Sequence, residues 1–396
     1  MSSAFTLSTP GQQADIAVGA ADHAGALLTI DLGAVADNWL TLKGMAADGA
    51  DCAAVLKANA YGLGAVPVAQ ALAAAGCRNF FVAHVDEGIA LRRHLPAAAN
   101  LFVLHGAPPG AEEACAANGL IPILNSLPQL RAWVALCGRW SRRLPAGVQV
   151  DSGMARAGMD AAELAELDAV PELLAAFDLR LIMSHLACAD EPESPMNREQ
   201  LQAFNVLRAR FPQVPASFAN SSGVFLGKEW HFDLLRPGVA LYGGNPTPGK
   251  PNPMKPVVRL RAKIMQMRAV PAGASVGYGR GHITAAPSRI ATAGVGYADG
   301  FFRCLGGKAQ AYWADTPLPI VGRVSMDMIT VDVTTVPEDL LYPGALIDLI
   351  GTHRTVDDLA TEAGTISYEI LTSLGNRYHR TYINGTGRVA SVSSSL

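Results

Sequence analysis

The sequence is short of charge, and the charges that it has nearly cancel. Only 16% of the 396 residues are charged and the formal net charge is −3, while 50% are hydrophobic. This balance gives no basic field for nucleic acid and is not typical of a disordered chain. No apolar run reaches the length of a membrane helix, and the first lysine or arginine, Lys43, comes too late for a signal peptide. We therefore expect a compact cytoplasmic enzyme without nucleic-acid or membrane partners.

Cysteines are few and scattered, which excludes two further kinds of protein. The six cysteines form no CxxC pair. The sequence therefore predicts no disulfide framework and no zinc or other metal site, and we expect free thiols in a reducing compartment.

Short apolar segments alternate with Ala- and Leu-rich helical segments over much of the chain. Residues 1–25 show little periodicity and predict a loose tail. Beyond them, eight strand–helix repeats predict an α/β fold whose N-terminal part, residues 26–245, is a (β/α)8 TIM-like barrel. The predicted strands are 53–57, 80–84, 101–105, 120–125, 147–151, 179–185, 215–220 and 234–242.

Polar residues follow each of these strands. Barrel enzymes build their active sites at the C-terminal rim from several strands, so the succession indicates a rim site, although one polar strand end alone would indicate nothing. These residues are Lys57, His84, His105, Asn125 with Ser126, Asp151 with Arg156 beyond it, His185, Asn220 with Ser221, and Arg236 with Gly238.

Lys57 ends the apolar run Ala53–Leu56 and is the most informative of them. Desolvation of a lysine at a barrel rim favours the neutral amine and lowers its pKa. Neutral amines are what Schiff-base chemistry requires. A lysine that only snorkels from a strand end fits this local sequence equally well.

A Pro-rich segment at 246–256 divides the chain and predicts an extended linker. After it, β-branched residues alternate between Gly and Pro turns, which predicts a mostly antiparallel C-terminal β domain at 257–396. Its predicted strands are 257–270, 288–298, 318–333 and 345–350. The early run 26–32 is a candidate extra strand of that domain.

Three motifs resemble the alanine racemase family. They are Lys57–Gly62 (KANAYG), Arg236–Gly238 (RPG) and Val276–Arg280 (VGYGR), and the resemblance extends over about 26–385. It implies an enzyme of fold-type III that carries pyridoxal 5'-phosphate (PLP) covalently on Lys57 and interconverts L- and D-alanine. In a bacterium, the D-alanine would supply peptidoglycan.

The resemblance also implies which side chains exchange protons. Racemisation removes a proton on one face of Cα and returns it on the other, so two acid–base groups must flank that carbon. These would be Lys57 and Tyr278. Because tyrosine is a poor base at neutral pH, it needs a positive neighbour, and His185 matches the family histidine beside it. Arg236 would donate a hydrogen bond to the pyridine nitrogen of PLP.

The remaining site residues follow from the same resemblance. The groups that would bind the PLP phosphate are Tyr61, Ser221, Gly238, Val239 and Tyr368. Arg156 and the amide of Met326 would bind the substrate carboxylate, while Tyr297 and Met326 narrow the entrance. In the family, Tyr278, Tyr297 and Met326 come from the partner subunit, which implies a homodimer with shared active sites.

Gln149 is where this sequence departs from the family pattern. Many members carry a lysine there, carbamylated and hydrogen-bonded to the substrate-binding arginine. Glutamine could accept a hydrogen bond from Arg156, but it brings no negative charge.

Four other functions compete with an alanine racemase. A broad-specificity racemase shares the motifs, but such enzymes are often exported. A non-catalytic PLP-binding protein on a single barrel would lack the second domain. A decarboxylase of basic amino acids would need a carboxylate in place of Arg236, and a cofactor-free Schiff-base aldolase would leave Tyr278 without a role.

Overall fold

The computed structural model describes residues 20–385 and 388–389. The tail expected at 1–25 lies outside this range up to residue 19, and Ala20–His23 forms a short helix. None of the helices within the described ranges combines the length and apolar character needed to cross a bilayer. All six cysteines are free thiols, and only Cys304 is exposed.

Parallel strands form a closed N-terminal barrel around an apolar centre. Seven of them are joined in chain order in one sheet. The eighth pairs in parallel with the first through Leu234 and Leu235, and the bond from Arg236 N to Ala219 O, 2.9 Å long, joins it to the seventh. The predicted (β/α)8 TIM-like barrel is therefore confirmed. The strands are Asp51–Cys52 with Ala54–Val55, Asn79–Val82, Asn100–Val103, Ile121–Leu124, Pro145–Gln149, Asp178–Met183, Ala216–Ser217 and Leu234–Leu235.

Amphipathic helices cover the barrel and bury their apolar sides against the strands. The strand cores are fully apolar because both faces are covered, as in Phe80 and Phe81. The helices are Leu32–Met45, Ala65–Ala74, Val85–Arg92, Glu112–Ala117, Leu127–Arg139, Ala161–Asp168, Glu172–Ala175 and Pro195–Arg208.

The strand predicted at 234–242 was wrong in its second half. It ends at Leu235, and Val239–Tyr242 forms a 3-10 helix. Pro237 has no N–H to extend the ladder, so the chain turns at Gly238 and the residues that follow face the barrel rim. The strand predicted at 215–220 likewise stops at Ser217.

The C-terminal domain is a mostly antiparallel β structure, as predicted. Six of its described strands close into a ring, because the long strand Val258–Val270 pairs with a strand at each end of the ring. Ala26–Asp31 pairs with this long strand, antiparallel, and with His379–Asn384, parallel. The ring order is Ser288–Ala293, Ile329–Asp332, Thr316–Val321, Gln310–Trp313, Leu346–Ile350 and Val258–Val270.

Several smaller elements complete the domain, and some were not predicted. The segment predicted as one strand at 318–333 is two, and the loop between them carries Met326. Residues 246–256 contain neither helix nor strand. The elements that sequence patterns missed are Gln310–Trp313, His379–Asn384, the pair Ser275–Val276 and His282–Ile283, Arg388–Val389, and the helices Val356–Ala363 and Ser367–Ser373.

Candidate active site

A cavity of about 540 Å3 opens at the C-terminal rim of the barrel. Every residue that the family resemblance assigned to the site lines it, except Tyr278, Tyr297 and Met326. The strand-end residues His84, Ser126 and Asp151 do not line it. Its walls contain no carboxylate, so the cavity suits a ligand with negative groups. The lining residues are Val55, Lys57, Tyr61, Leu104, His105, Asn125, Gln149, Arg156, Ala157, Met183, His185, Asn220, Ser221, Arg236, Gly238, Val239 and Tyr368.

A left-handed helical turn directly follows Lys57. Residues 58–61 all have φ between 53° and 55°, a conformation that costs roughly 1–2 kcal/mol per non-glycine residue. The turn is closed by bonds of 2.8 Å from Ala60 N to Leu56 O and from Gly62 N to Ala58 O. Such strain persists only where the surroundings enforce it, and it is frequent at active sites. Here it brings Lys57 and Tyr61, four residues apart, to the same cavity.

Side chains from outside the turn hold both of its ends. At the start, Glu87 Oε1 accepts a hydrogen bond of 2.7 Å from Ala58 N. At the end, Arg380 Nη1 donates one of 2.6 Å to Gly62 O. Arg380 belongs to the C-terminal domain, so both domains contribute to the placement of Lys57.

Lys57 has a lowered pKa, as the sequence led us to expect. Burial is the main cause, and the nearby guanidinium of Arg156 adds to it, while Glu87 partly opposes the shift. A lower pKa increases the fraction of neutral amine, which is the nucleophilic form.

Arg236 is buried, with 4% of its surface exposed, and it forms no ion pair with a carboxylate of residues 20–385. It donates hydrogen bonds to Ser217 Oγ and, at 2.6 Å, to the carbonyl of Ser184. Burial lowers its pKa to about 9, so the guanidinium stays charged at neutral pH. A buried, unpaired cation at the cavity wall fits an anionic ligand.

His185 does not carry the positive charge that the sequence argument needed. Burial, followed by the charges of Arg236, Arg156 and Lys57, lowers its pKa to about 3. Its Nδ1 lies 3.4 Å from Arg236 Nη2, and because a guanidinium can only donate, the imidazole proton resides on Nε2. His185 is therefore neutral at neutral pH, and the expectation that it is cationic was wrong.

A second group of residues on the cavity wall can donate hydrogen bonds to an anion. A Cβ at position 238 would lie 2.2 Å from Tyr61 Oη, so only glycine fits there. Ser221 Oγ accepts from Gly238 N at 2.8 Å and from Ala240 N at 3.3 Å. Burial raises the pKa of Tyr61 well above its ordinary value and that of Tyr368 to about 12. Both phenols therefore stay protonated and can donate to an anion.

Arg156 stands on a loop that the fifth barrel strand positions. Asp151 Oδ1 accepts from the amides of Gly153 and Met154, both at 2.9 Å. Gln149 is buried and its Nε2 donates to Ala157 O at 3.0 Å. In the described part of the chain Gln149 makes no hydrogen bond to Arg156, which corrects the contact expected from the sequence.

The three expected residues that do not line the cavity share an exposed face of the C-terminal domain. Tyr278, Tyr297 and Met326 are 74%, 43% and 54% exposed. Tyr297 N donates to Ser325 O at 3.0 Å, which joins two of the loops. The position of a Cβ at Gly279, beside Tyr278, is 3.2 Å from the Arg323 guanidinium of the Met326 loop.

Arg377 ties the Tyr297 and Met326 loops together. Its guanidinium donates to both oxygens of the buried Asp299, at 2.6 and 2.8 Å, and to Asp327 at 2.7 Å. Asp299 ends the 3-10 turn that begins at Tyr297. No sequence pattern singled out Arg377, because its partners are distant in the chain.

Sequence reasoning noted the polar residues His105 and Asn125 but gave them no role. The His105 and His84 rings meet edge-on with centroids 4.6 Å apart, and burial and His84 lower the pKa of His105. Asn125 Nδ2 donates to two backbone carbonyls, and its buried Oδ1 has no partner among the described residues.

Comparison with known proteins decides the family. One family model, alanine racemase, N-terminal domain, matches residues 30–246, and another, alanine racemase, C-terminal domain, matches residues 257–382. The chain belongs to the alanine racemase family. Its curated relatives include an alanine racemase of Rhodospirillum rubrum, 56% identical over 92% of this chain and 98% of that protein. A catabolic alanine racemase of Agrobacterium fabrum is 50% identical over 95% of this chain and 97% of its own.

Solved structures of the alanine racemase family share this fold. That of Bartonella henselae, which has covalently bound PLP, superposes with a TM-score of 0.87 at 44% identity, covering 91% of this chain and all of its own. PLP is the cofactor of the family, and the residues present here fit it. Lys57 offers an amine of lowered pKa, Arg236 a buried unpaired donor, and Gly238 a cradle that a Cβ would fill.

Proposed function

We propose that this protein interconverts L- and D-alanine with PLP, using Lys57 and Tyr278 of the partner subunit as its two acid–base groups. The observation that supports it most is a single cavity that brings together Lys57, an amine of lowered pKa, with the charged donors Arg156 and Arg236 and the hydroxyls of Tyr61, Ser221 and Tyr368. A two-base reaction needs a second group on the opposite face.

The residues divide the work as follows. PLP, when bound, supplies the electron sink that makes the Cα proton of the amino acid removable. Arg236 would donate to the ring nitrogen and keep it unprotonated. Tyr61, Ser221, Tyr368 and the amide of Val239 would hold the phosphate, and Gly238, whose own amide donates to Ser221 Oγ, would allow its close approach. Arg156 and the partner's Met326 amide hold the substrate carboxylate. Lys57 exchanges a proton on one face of Cα.

Tyr278 does not line the cavity of its own chain. Its side chain is exposed on the same face as Tyr297 and Met326, an apolar cluster of the kind that marks an interface. We therefore propose a homodimer in which this face covers the partner's rim.

Mixing two inactive variants tests the shared site. Lys57→Ala lacks one base and Tyr278→Phe the other, so a mixed dimer contains one site with both bases. After subunit exchange at equal amounts, half of the dimers are mixed, and about a quarter of wild-type activity should return. Each variant mixed with itself is the control. Absence of recovery, with exchange verified by mass spectrometry, contradicts the shared site.

Alanine is proposed as the substrate because Tyr297 and Met326 would narrow the partner's entrance to admit a methyl side chain. Chiral analysis of products from a panel of L-amino acids tests this, and equal turnover of large side chains would instead favour a broad-specificity racemase. We place the enzyme in the cytoplasm, where its six free thiols would stay reduced, and assign its D-alanine to peptidoglycan. Growth rescue of a bacterium that requires D-alanine tests the latter.

A further inference from the structure

Glu87 lies outside the cavity wall but connects two parts of the rim. It stands in the first turn of the helix after the second barrel strand. Its Oε1 accepts from Ala58 N at 2.7 Å. Its Oε2 accepts from Ala83 N at 2.7 Å and from His84 N at 3.2 Å. One carboxylate thus joins the residue after Lys57 to the end of the neighbouring strand.

This contact acts at the most sensitive point of the left-handed turn. Ala58 is the first residue of the turn, and alanine strongly prefers the right-handed region. The turn's own bonds, from Ala60 N to Leu56 O and from Gly62 N to Ala58 O, do not use the N–H of Ala58. Water could satisfy this exposed amide, but water is not anchored to the second strand. Glu87 therefore fixes the direction of the Ala58 N–H, in addition to accepting its hydrogen bond.

We propose that Glu87 is a positioning residue that holds Lys57 in its reactive orientation by tying the left-handed turn to the second barrel strand. This inference rests on the proposed role of Lys57. Glu87 itself does not contact the cavity, so it acts only through the backbone of the turn.

Two substitutions separate the effect of the Glu87 hydrogen bonds from the effect of its negative charge. In Glu87→Gln the side-chain oxygen can serve Ala83 and His84, which leaves the NH2 group facing the N–H of Ala58, donor against donor. Glu87→Asp keeps the charge but is one methylene too short to reach both sides. Asp86→Asn is the matched control, because it removes an exposed charge from the same helix turn and has no bond to the rim.

The expected result is a loss of turnover without a loss of substrate binding. A displacement of 1 Å can cost about 10²-fold, so kcat should fall roughly tenfold or more in both Glu87 variants. KM for alanine should change by less than about threefold, the pattern of an interaction needed in the transition state. Hydrogen exchange of a peptide covering 57–63 should quicken in both, while Asp86→Asn matches wild type.

A pH profile gives a further measurement, which would not change if Glu87 only supported the fold. The rate at which apoenzyme takes up PLP should follow the deprotonation of Lys57. The negative charge of Glu87 raises the pKa of Lys57, against burial and Arg156, which lower it. The midpoint should therefore fall in Glu87→Gln and stay in Glu87→Asp.

Unchanged kcat and unchanged exchange at 57–63 in both Glu87 variants would overturn the proposal. If a Glu87 variant is unstable, Ala58→Gly decides, because glycine enters the left-handed region freely. Added to Glu87→Gln, it should restore several-fold in kcat, and no restoration overturns the proposal. Lys57→Ala is run in parallel: retention of covalent PLP in that variant would refute the proposed role of Lys57 instead.

Discussion

Replacing Gln149 by lysine should make the enzyme depend on carbon dioxide. In wild type, the Gln149 amide is committed to Ala157 O at 3.0 Å and leaves Arg156 without a bond from this position. A lysine amine placed here, near Lys57 and Arg156, would tend to be neutral because neighbouring cations disfavour its charged form. A neutral amine can add carbon dioxide to give an anionic carbamate, which an amide cannot do.

The size of the effect follows from the bond that would be gained. Hydrogen bonds to charged groups contribute about 1.5–3 kcal/mol, but Arg156 is exposed in this chain and solvent discounts an exposed pair. We therefore expect KM for alanine to fall about three- to tenfold when bicarbonate is added to Gln149→Lys, where each 1.4 kcal/mol is tenfold. The turnover number should change little, because the proposed function gives Arg156 a contact with the substrate carboxylate and not with Cα.

The assay is racemisation at constant pH and ionic strength, with and without bicarbonate. Wild type should not respond to bicarbonate, although chloride could stimulate it by supplying the missing anion beside Arg156. Gln149→Glu is the control, because it carries a fixed charge and needs no carbon dioxide. Bicarbonate stimulation of wild type would show that a carbamate forms elsewhere, and the reasoning about Gln149 would then be wrong.

Four further predictions test the site. Lys57→Ala should abolish turnover and covalent PLP, and borohydride reduction of wild type followed by peptide mapping should label Lys57 and no other lysine. Tyr278→Phe should keep the visible PLP absorbance but lose roughly 10²–10⁴-fold in kcat; a loss below tenfold would remove it from proton transfer. The pKa of His185 is about 3 in the folded protein, against an ordinary 6.5. As the pH drops, the imidazole is therefore protonated first in the unfolded chain, and the free energy of unfolding falls between pH 6.5 and pH 3. His185→Gln should therefore lose less stability to acid in denaturant titrations. Under the proposed entrance role of Tyr297 and Met326, Arg377→Ala should release their two loops and raise KM more than it lowers kcat. Unchanged KM and kcat would exclude this role of Arg377.

The barrel strands and the rim residues could be predicted because their signals are local. Apolar runs such as Phe80–Val82 are the strand cores, and polar residues follow where a strand ends. Motif order then identified the family. The strand predicted through 234–242 failed because the effect of Pro237 on the ladder depends on its neighbours in the sheet.

Quantities set by burial could not be obtained from the sequence. His185 follows an apolar strand, as an exposed rim histidine would, and only the surrounding packing makes it neutral. The same holds for Gln149, whose amide found a backbone carbonyl eight residues away in place of Arg156. In both cases the sequence predicted the position of the residue correctly. It did not predict the charge of His185 or the hydrogen-bond partner of Gln149.

The left-handed turn after Lys57 is the clearest case of tertiary contacts overriding local preference. Alanine is the best right-handed helix former, yet Ala58 and Ala60 are left-handed here. The contacts that enforce this come from the barrel, through Glu87, and from the C-terminal domain, through Arg380. A barrel without the second domain would lose the clamp at Gly62. The placement of the lysine therefore depends on contacts from both domains of one chain.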